Sequence, residues 1–246
     1  DFSDWDNLAP HLRKGFEYAK QRCTAYPRYV VQRRLFPEFL SMYLPIVKGL
    51  RFGHPLAVEN DHDDLPDFEF GPVIHKNKAQ ELRGQFNEAI DTGGIPLYEG
   101  SLDHGRFIAG QDISAYVAPA CVLEPPRAWS LHHSEPFGPL DSVVLVDTEA
   151  EFIAAMNVSN GNLVSSVATD DELFARRVRE EISSFKFGIN KPRSRGDREE
   201  VFGGLGASWK GAFVGGDLLV DAVTDGPRAI YGNFRGGSRF PEGLDL

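Results

Sequence analysis

The 246-residue chain carries 26 Lys and Arg against 36 Asp and Glu, a formal charge of −10 at pH 7, with 41% hydrophobic and 25% charged residues. That length holds one large or two small domains with a buried core, and the acidic balance argues against a nucleic-acid groove or an anionic membrane as the main partner. No apolar run approaches the ~18 residues of a membrane span, DFSDWDNLAP lacks the parts of a signal peptide, and two cysteines make no disulfide framework, so a soluble protein of a reducing cytoplasm is expected.

Leu8, Leu12, Phe16 and Ala19 recur at helical spacing. They predict an amphipathic helix that runs into the stretch around Cys23 and stops before Pro27, because a residue ahead of proline is pushed out of helical geometry. Tyr29–Val31 reads as a strand, and 37–48 as a helix that Pro45 should end or kink. The acidic, proline-punctuated stretch 54–72 reads as a loop, and 76–92 as a helix stopped by Gly93-Gly94. From 99 to 129 glycine turns precede an apolar strand near 116–123. SVVLV at 142–146 has the continuous apolar character of a strand buried on both faces. Thr148 and Glu151 form a capping box for a helix through Met156. A strand at 163–168, a helix capped by Asp170 and Asp171 through Ile182, and a strand at 185–190 follow. Strand–helix–strand–helix–strand at this spacing predicts an α/β fold with a parallel-type sheet joined by right-handed crossovers. Beyond Asn190 the chain turns polar and glycine-rich, with two strands expected in LLVDAVT and AIYGNF. The expected division is therefore an α/β body, 1–205, and a β-rich C-terminal arm, 206–246.

Three stretches carry chemistry. In KQRCTAYPR, Cys23 lies near the cations Lys20, Arg22 and Arg28, beside the small Thr24 and Ala25. Positive charge and an approachable sulfur favour the reactive thiolate, and a neighbouring backbone N–H could stabilise an oxyanion; a buried structural thiol is the competing reading, and Cys121, in an apolar stretch, reads that way. In SEPFGPL, Glu135 sits in a rigid turn just ahead of a buried strand, where α/β sheets gather ligands. It could hold the paired hydroxyls of a ribose, with Phe137 packing against a flat ring; a solvated turn is the competing reading. His132 and His133 adjoin it, but no third ligand has metal spacing, so no metal is expected. VFGGLGASWKG (201–211) breaks the Gly-x-Gly-x-x-Gly pattern at Trp209 and reads as tight turns at a cleft rim, with Arg193, Arg195 and Arg198 in a solvated loop.

In order, these stretches resemble the aldehyde dehydrogenase superfamily. KQRCTA resembles its Gly-Gln-x-Cys-x-Ala nucleophile segment, with Lys20 where glycine is usual. FEFGPVI (68–74) resembles Met-Gly-Pro-Leu-Ile, and SEPFGPL resembles Glu-x-Phe-Gly-Pro. NVSNGNLVSSVATDD (157–171) resembles Asn-x-x-x-Tyr-Gly-Leu-x-Ala-x-Val-x-Thr-x-Asp, with Asn160-Gly161-Asn162 in place of Tyr-Gly-Leu. VFGGLGASWKG resembles Pro-Phe-Gly-Gly-x-x-x-Ser-Gly, with Val201 for proline and Trp209 for glycine.

The resemblance implies the catalytic domain of an NAD- or NADP-dependent aldehyde dehydrogenase, with the N-terminal cofactor-binding domain absent from this chain. Cys23 would attack the aldehyde to form a thiohemiacetal and then a thioester. Glu135 would grip the nicotinamide ribose, Phe137 would back the cofactor, and Phe16 and Phe202 would line the substrate tunnel. The arm would make a homodimer or tetramer, and the isolated chain would not turn over. A different class, a non-catalytic assembly or binding module that adds a strand from 218–234 to a partner, is the alternative; a related acyl-phosphate reductase would need a phosphate anchor that is not found.

Overall fold

The computed structural model describes residues 1–58, 60, 62–159, 161–192, 202–209 and 215. The expected strands of the C-terminal arm, the arginines at 193, 195 and 198, and the partner-pairing segment 218–234 lie outside the described residues.

Helix α1 (Trp5–Gly15) places Leu8 and Leu12 on its buried face. It ends earlier than the apolar spacing implies, because Tyr18, Ala19 and Lys20 turn into left-handed backbone, with φ of 59°, 53° and 54°. Strand β1 (Arg28–Gln32) follows and leads into α2 (Phe36–Lys48). Pro45 does not end α2, which continues to Lys48. Helix α3 (Lys76–Asp91) closes at Thr92, and Gly93 takes the positive φ of 113° that lets the chain reverse. Strand β2 (Ile95–Glu99) was not expected: its proline and two half-exposed faces hide it, and its pairing is irregular between Pro96 and Tyr98. Strand β3 is Ala120–Leu123, and the single turn α4 (Ser130–His133) leads toward β4 (Leu140–Val146).

These strands make a four-stranded sheet in the order β1-β4-β3-β2. β1 and β3 run parallel to β4, and β2 is antiparallel to β3. β4 is thus central, and five of its seven positions in succession from Leu140 to Val144 are buried, Asp141 and Ser142 among them, which accounts for the apolar residues from Val143 to Val146. Helices α1, α2 and α3 cover the sheet and share one hydrophobic core with it.

Helix α5 (Glu149–Met156) begins with the expected capping box, Thr148 and Glu151 each satisfying the other's backbone. β5 (Gly161–Asn162) pairs antiparallel with β8 (Leu205–Gly206). β6 (Val164–Val167) pairs in parallel with β7 (Lys186–Ile189) across helix α6 (Glu172–Glu181), whose cap, Asp171, accepts from the Phe174 N–H. The strand–helix–strand pattern is therefore realised, but β6 does not hydrogen-bond β4: β6 and β7 form a sheet of their own, over a small core of Val167, Ala175, Val178 and Ile182. Among the described residues no helix is long and apolar enough to cross a membrane.

Candidate active site

Cys23 lies on the turn between Lys20 and β1, and its side chain is exposed. Three interactions hold that turn. The Arg22 carbonyl accepts from the Ala25 N–H at 3.1 Å, closing the turn around the cysteine. The Gln21 side chain spans to the FGPVI segment: its amide donates to the Pro72 carbonyl at 3.3 Å and its oxygen accepts from the Ile74 N–H at 2.8 Å. The Pro27 carbonyl accepts from the Ser142 N–H at 2.8 Å, joining the turn's exit to β4.

The cations beside Cys23 are differently engaged from the expectation. Arg22 donates to the Lys14 carbonyl at 2.8 Å and lies 3.8 Å from Glu17. Lys20 points into the core and pairs with Asp141 at 2.5 Å. Burial lowers the Arg28 pKa, and the charge of Glu135 opposes that shift. Arg22 and Lys20 are thus committed to other partners, and Arg28 lies close enough to Glu135 to feel its charge.

Glu135 stands on the turn ahead of β4. Its side chain is exposed at the cavity edge, and partial desolvation there raises its carboxyl above the ordinary range while the Arg28 guanidinium opposes that shift. Phe137, 38% exposed, holds a left-handed φ of 51°. Gly138 follows because nothing larger fits: a Cβ there would come within 2.2 Å of Leu82 Cδ1 on α3. The rigid turn expected from Pro-Phe-Gly-Pro is thus seated on a helix.

Cys23 and Glu135 open onto one cavity of about 650 Å³. It is lined by β1 and by the chain from Leu163 to Thr169, with Asp1 and Asp170 also on its surface. Tyr26 reaches across it to Ser166, 3.2 Å between hydroxyl oxygens. A second, very small void of about 10 Å³ lies between Arg22, Ala25 and Pro27 of the cysteine turn and Glu135, Phe137 and Gly138, so the two turns pack side by side.

The two phenylalanines assigned to a substrate tunnel do not line this cavity. Phe16 is 0% exposed, and the Lys20 ammonium sits 4.0 Å from its ring centroid; it forms the floor under the cysteine turn rather than a cavity wall. Phe202 packs edge-on to Phe185, 6.4 Å between centroids, and does not line the cavity. His132 and His133 occupy a helical turn, with crossed rings. His132 is buried, and burial, reinforced by Arg28, pushes its pKa down to about 4. Among the described residues no group of three His, Cys, Asp or Glu could hold a metal. Cys121 is buried as expected, and burial pushes its thiol strongly upward, away from reactivity.

Sequence reasoning missed Asp141. The apolar run of β4 hid it, although a lone carboxylate in a doubly buried strand is itself a signal that a buried cation must lie opposite.

The family profile described as "Aldehyde dehydrogenase family" matches residues 3–224. Lactaldehyde dehydrogenase of Escherichia coli K12 is 26% identical over 199 residues, 80% of this chain and 37% of that protein. N-succinylglutamate 5-semialdehyde dehydrogenase of Novosphingobium aromaticivorans is 27% identical over 228 residues, 90% of this chain and 45% of that protein. Among solved structures, the NADP complex of glyceraldehyde-3-phosphate dehydrogenase GapN from Methanocaldococcus jannaschii shares the fold with a TM-score of 0.72 at 24% identity, over 86% of this chain and 42% of that one. The chain spans less than half the length of these relatives. With the fold, the ordered motifs and the profile in agreement over most of its length, the chain belongs to the aldehyde dehydrogenase family.

Proposed function

We propose that this chain carries the nucleophile and part of the cofactor seat of an NAD(P)-dependent aldehyde dehydrogenase. The observation that supports this most is that Cys23, exposed on a braced turn, and Glu135 open onto one cavity. The donor set fits a nicotinamide nucleotide: a carboxylate suited to two adjacent hydroxyls, beside a partly exposed aromatic ring at Phe137.

In this reading the Cys23 thiolate adds to the aldehyde carbon, giving a thiohemiacetal whose oxyanion accepts from the Cys23 N–H. The bound cofactor supplies an acceptor for the hydride that leaves that carbon. Cys23 then holds the acyl group as a thioester; water adds, the carbon–sulfur bond breaks, and the acid leaves with the thiol restored. Glu135 acts by binding and orientation, not by proton transfer.

The test has two arms. Iodoacetamide should alkylate Cys23 in the folded chain faster than it alkylates glutathione, leaving Cys121 untouched; a Cys23 rate at or below glutathione's counts against a poised nucleophile and for the non-catalytic alternative. In the full-length native protein, Cys23→Ala should abolish aldehyde-dependent NAD(P)H formation, while Glu135→Gln should chiefly raise the cofactor KM. A Cys23→Ala protein that turns over at the parent rate removes the assignment. The 246 residues alone should give no turnover, since they span less than half of the relatives named for the reaction.

A further inference from the structure

We propose that Lys20 and Asp141 form a buried strap that positions the Cys23 turn against the Glu135 turn, a role that rests on the reading of Cys23 as nucleophile. Lys20 lies three residues before Cys23 and Asp141 six after Glu135 (23 − 20 and 141 − 135), so the pair joins the two segments that build the site. Both side chains are sealed, at 2% and 0% exposure.

The ammonium has three donors and finds three acceptors: Asp141 Oδ1 at 2.5 Å, the Tyr26 carbonyl at 2.9 Å and the Tyr29 hydroxyl at 3.2 Å. The bond to Tyr26 matters most for the turn. It closes the loop from Lys20 to Tyr26 across its base, with Cys23 near the apex. Asp141 is saturated in turn, its Oδ2 accepting from the Tyr43 hydroxyl at 2.8 Å. A charge pair this deep persists when geometry and hydrogen bonds are complete, and here they are.

The backbone gives an independent reason for a strap. Tyr18, Ala19 and Lys20 are three consecutive non-glycine residues in left-handed conformation, which side chains disfavour and which lasts only where the surroundings over-determine it. The family motif has glycine at the position of Lys20, and glycine needs no such restraint. Lys20 takes that strained position and supplies its own anchor. It is a positioning residue and not a catalytic one: its three donors are spent, and it does not line the larger cavity.

The decisive variant is the double substitution Lys20→Met with Asp141→Asn. It removes both charges, keeps the length of the lysine stem and an acceptor for Tyr43, and leaves the left-handed backbone without its anchor, whereas Lys20→Met alone strands a buried carboxylate. A nitroxide attached to Cys23, the exposed cysteine, should give an immobilised spectrum in the parent and a mobile one in the double variant, with the thermal midpoint restored relative to Lys20→Met. Alkylation of Cys23 should fall to the glutathione rate. A folded double variant with the parent's immobilised spectrum overturns the strap. Hydrogen exchange supplies a check without any variant: the hydrogen-bonded amides of Gln21 and Ala25 should exchange well below the rate of the exposed residues 64–65, and exchange at that rate overturns it too. The nitroxide and exchange readouts do not depend on catalysis. A slow parent alkylation rate would therefore remove the nucleophile reading and leave the strap to be judged by its own result.

Discussion

Two ion pairs bracket the parallel strands β1 and β4, one at each end, and they differ in nearly everything but charge. At the start of the strands Lys20 and Asp141 meet at 2.5 Å, wholly buried. At the far end Arg33 and Asp147 make a bidentate contact, 3.0 and 3.1 Å from the guanidinium Nε to the two carboxylate oxygens, with both side chains more than half exposed. In water the second pair gains little, because solvent screens it and two long side chains lose freedom to form it. The first has no solvent to fall back on. Burial pushes Lys20 toward the neutral amine and Asp141 toward the neutral acid, and the pairing opposes both shifts. The same chemistry is thus a surface ornament at one end of the sheet and a structural commitment at the end that carries Cys23.

Lys20→Met should break that comparison most sharply, destabilising the chain by about 3–5 kcal/mol through the unpaired Asp141 carboxylate, read as the urea midpoint against the parent. Tyr43→Phe keeps the ring and its stacking on Phe39 but removes the donor to Asp141 Oδ2; a loss of about 1.5–3 kcal/mol is expected for a hydrogen bond to a charged group. A loss near zero would mean that water or another donor replaces the hydroxyl.

Glu69 is the intermediate case. Burial pushes its carboxyl up, but the Arg51 N–H at 2.7 Å and the Arg13 guanidinium outweigh that and hold it below its usual value. A depressed folded value means stability that is present above the ordinary glutamate range and lost as pH falls through the lower folded value. Urea midpoints measured against pH should therefore fall on the acid side of 4.5 in the parent and follow a flatter curve in Glu69→Gln. The smallest effect belongs to Arg33→Ala, whose thermal midpoint should match the parent's; a clear drop would show that the two ends of the sheet are not as different as their burial implies.

Much of the fold was legible because its signals are local. The capping box at Thr148 and Glu151, the Asp171 cap and the apolar run of β4 are each written within a few residues, and each is realised. Cys23 and Glu135, the two residues that sequence chemistry singled out, share a cavity. What was not legible was long-range. The left-handed turn at 18–20 cut α1 short because Lys20 is held from 121 residues away. Phe16 carries the same motif position whether it faces a tunnel or a core, and only packing distinguishes the two. β2 escaped because its proline and exposed faces match no strand pattern until β3 is beside it.

By itself, then, the amino-acid order determined the class of fold, the helices and strands with strong local period or caps, and the cysteine and carboxylate on which the chemistry is proposed to turn. Tertiary structure alone decided where each cation went: Arg22 to a helix carbonyl, Arg28 toward Glu135, and Lys20 inward to Asp141. The reason is physical. Periodicity reports which face of an element meets the core, but the partner of a charge is set by desolvation and distance across the whole fold, and neither can be read along the chain.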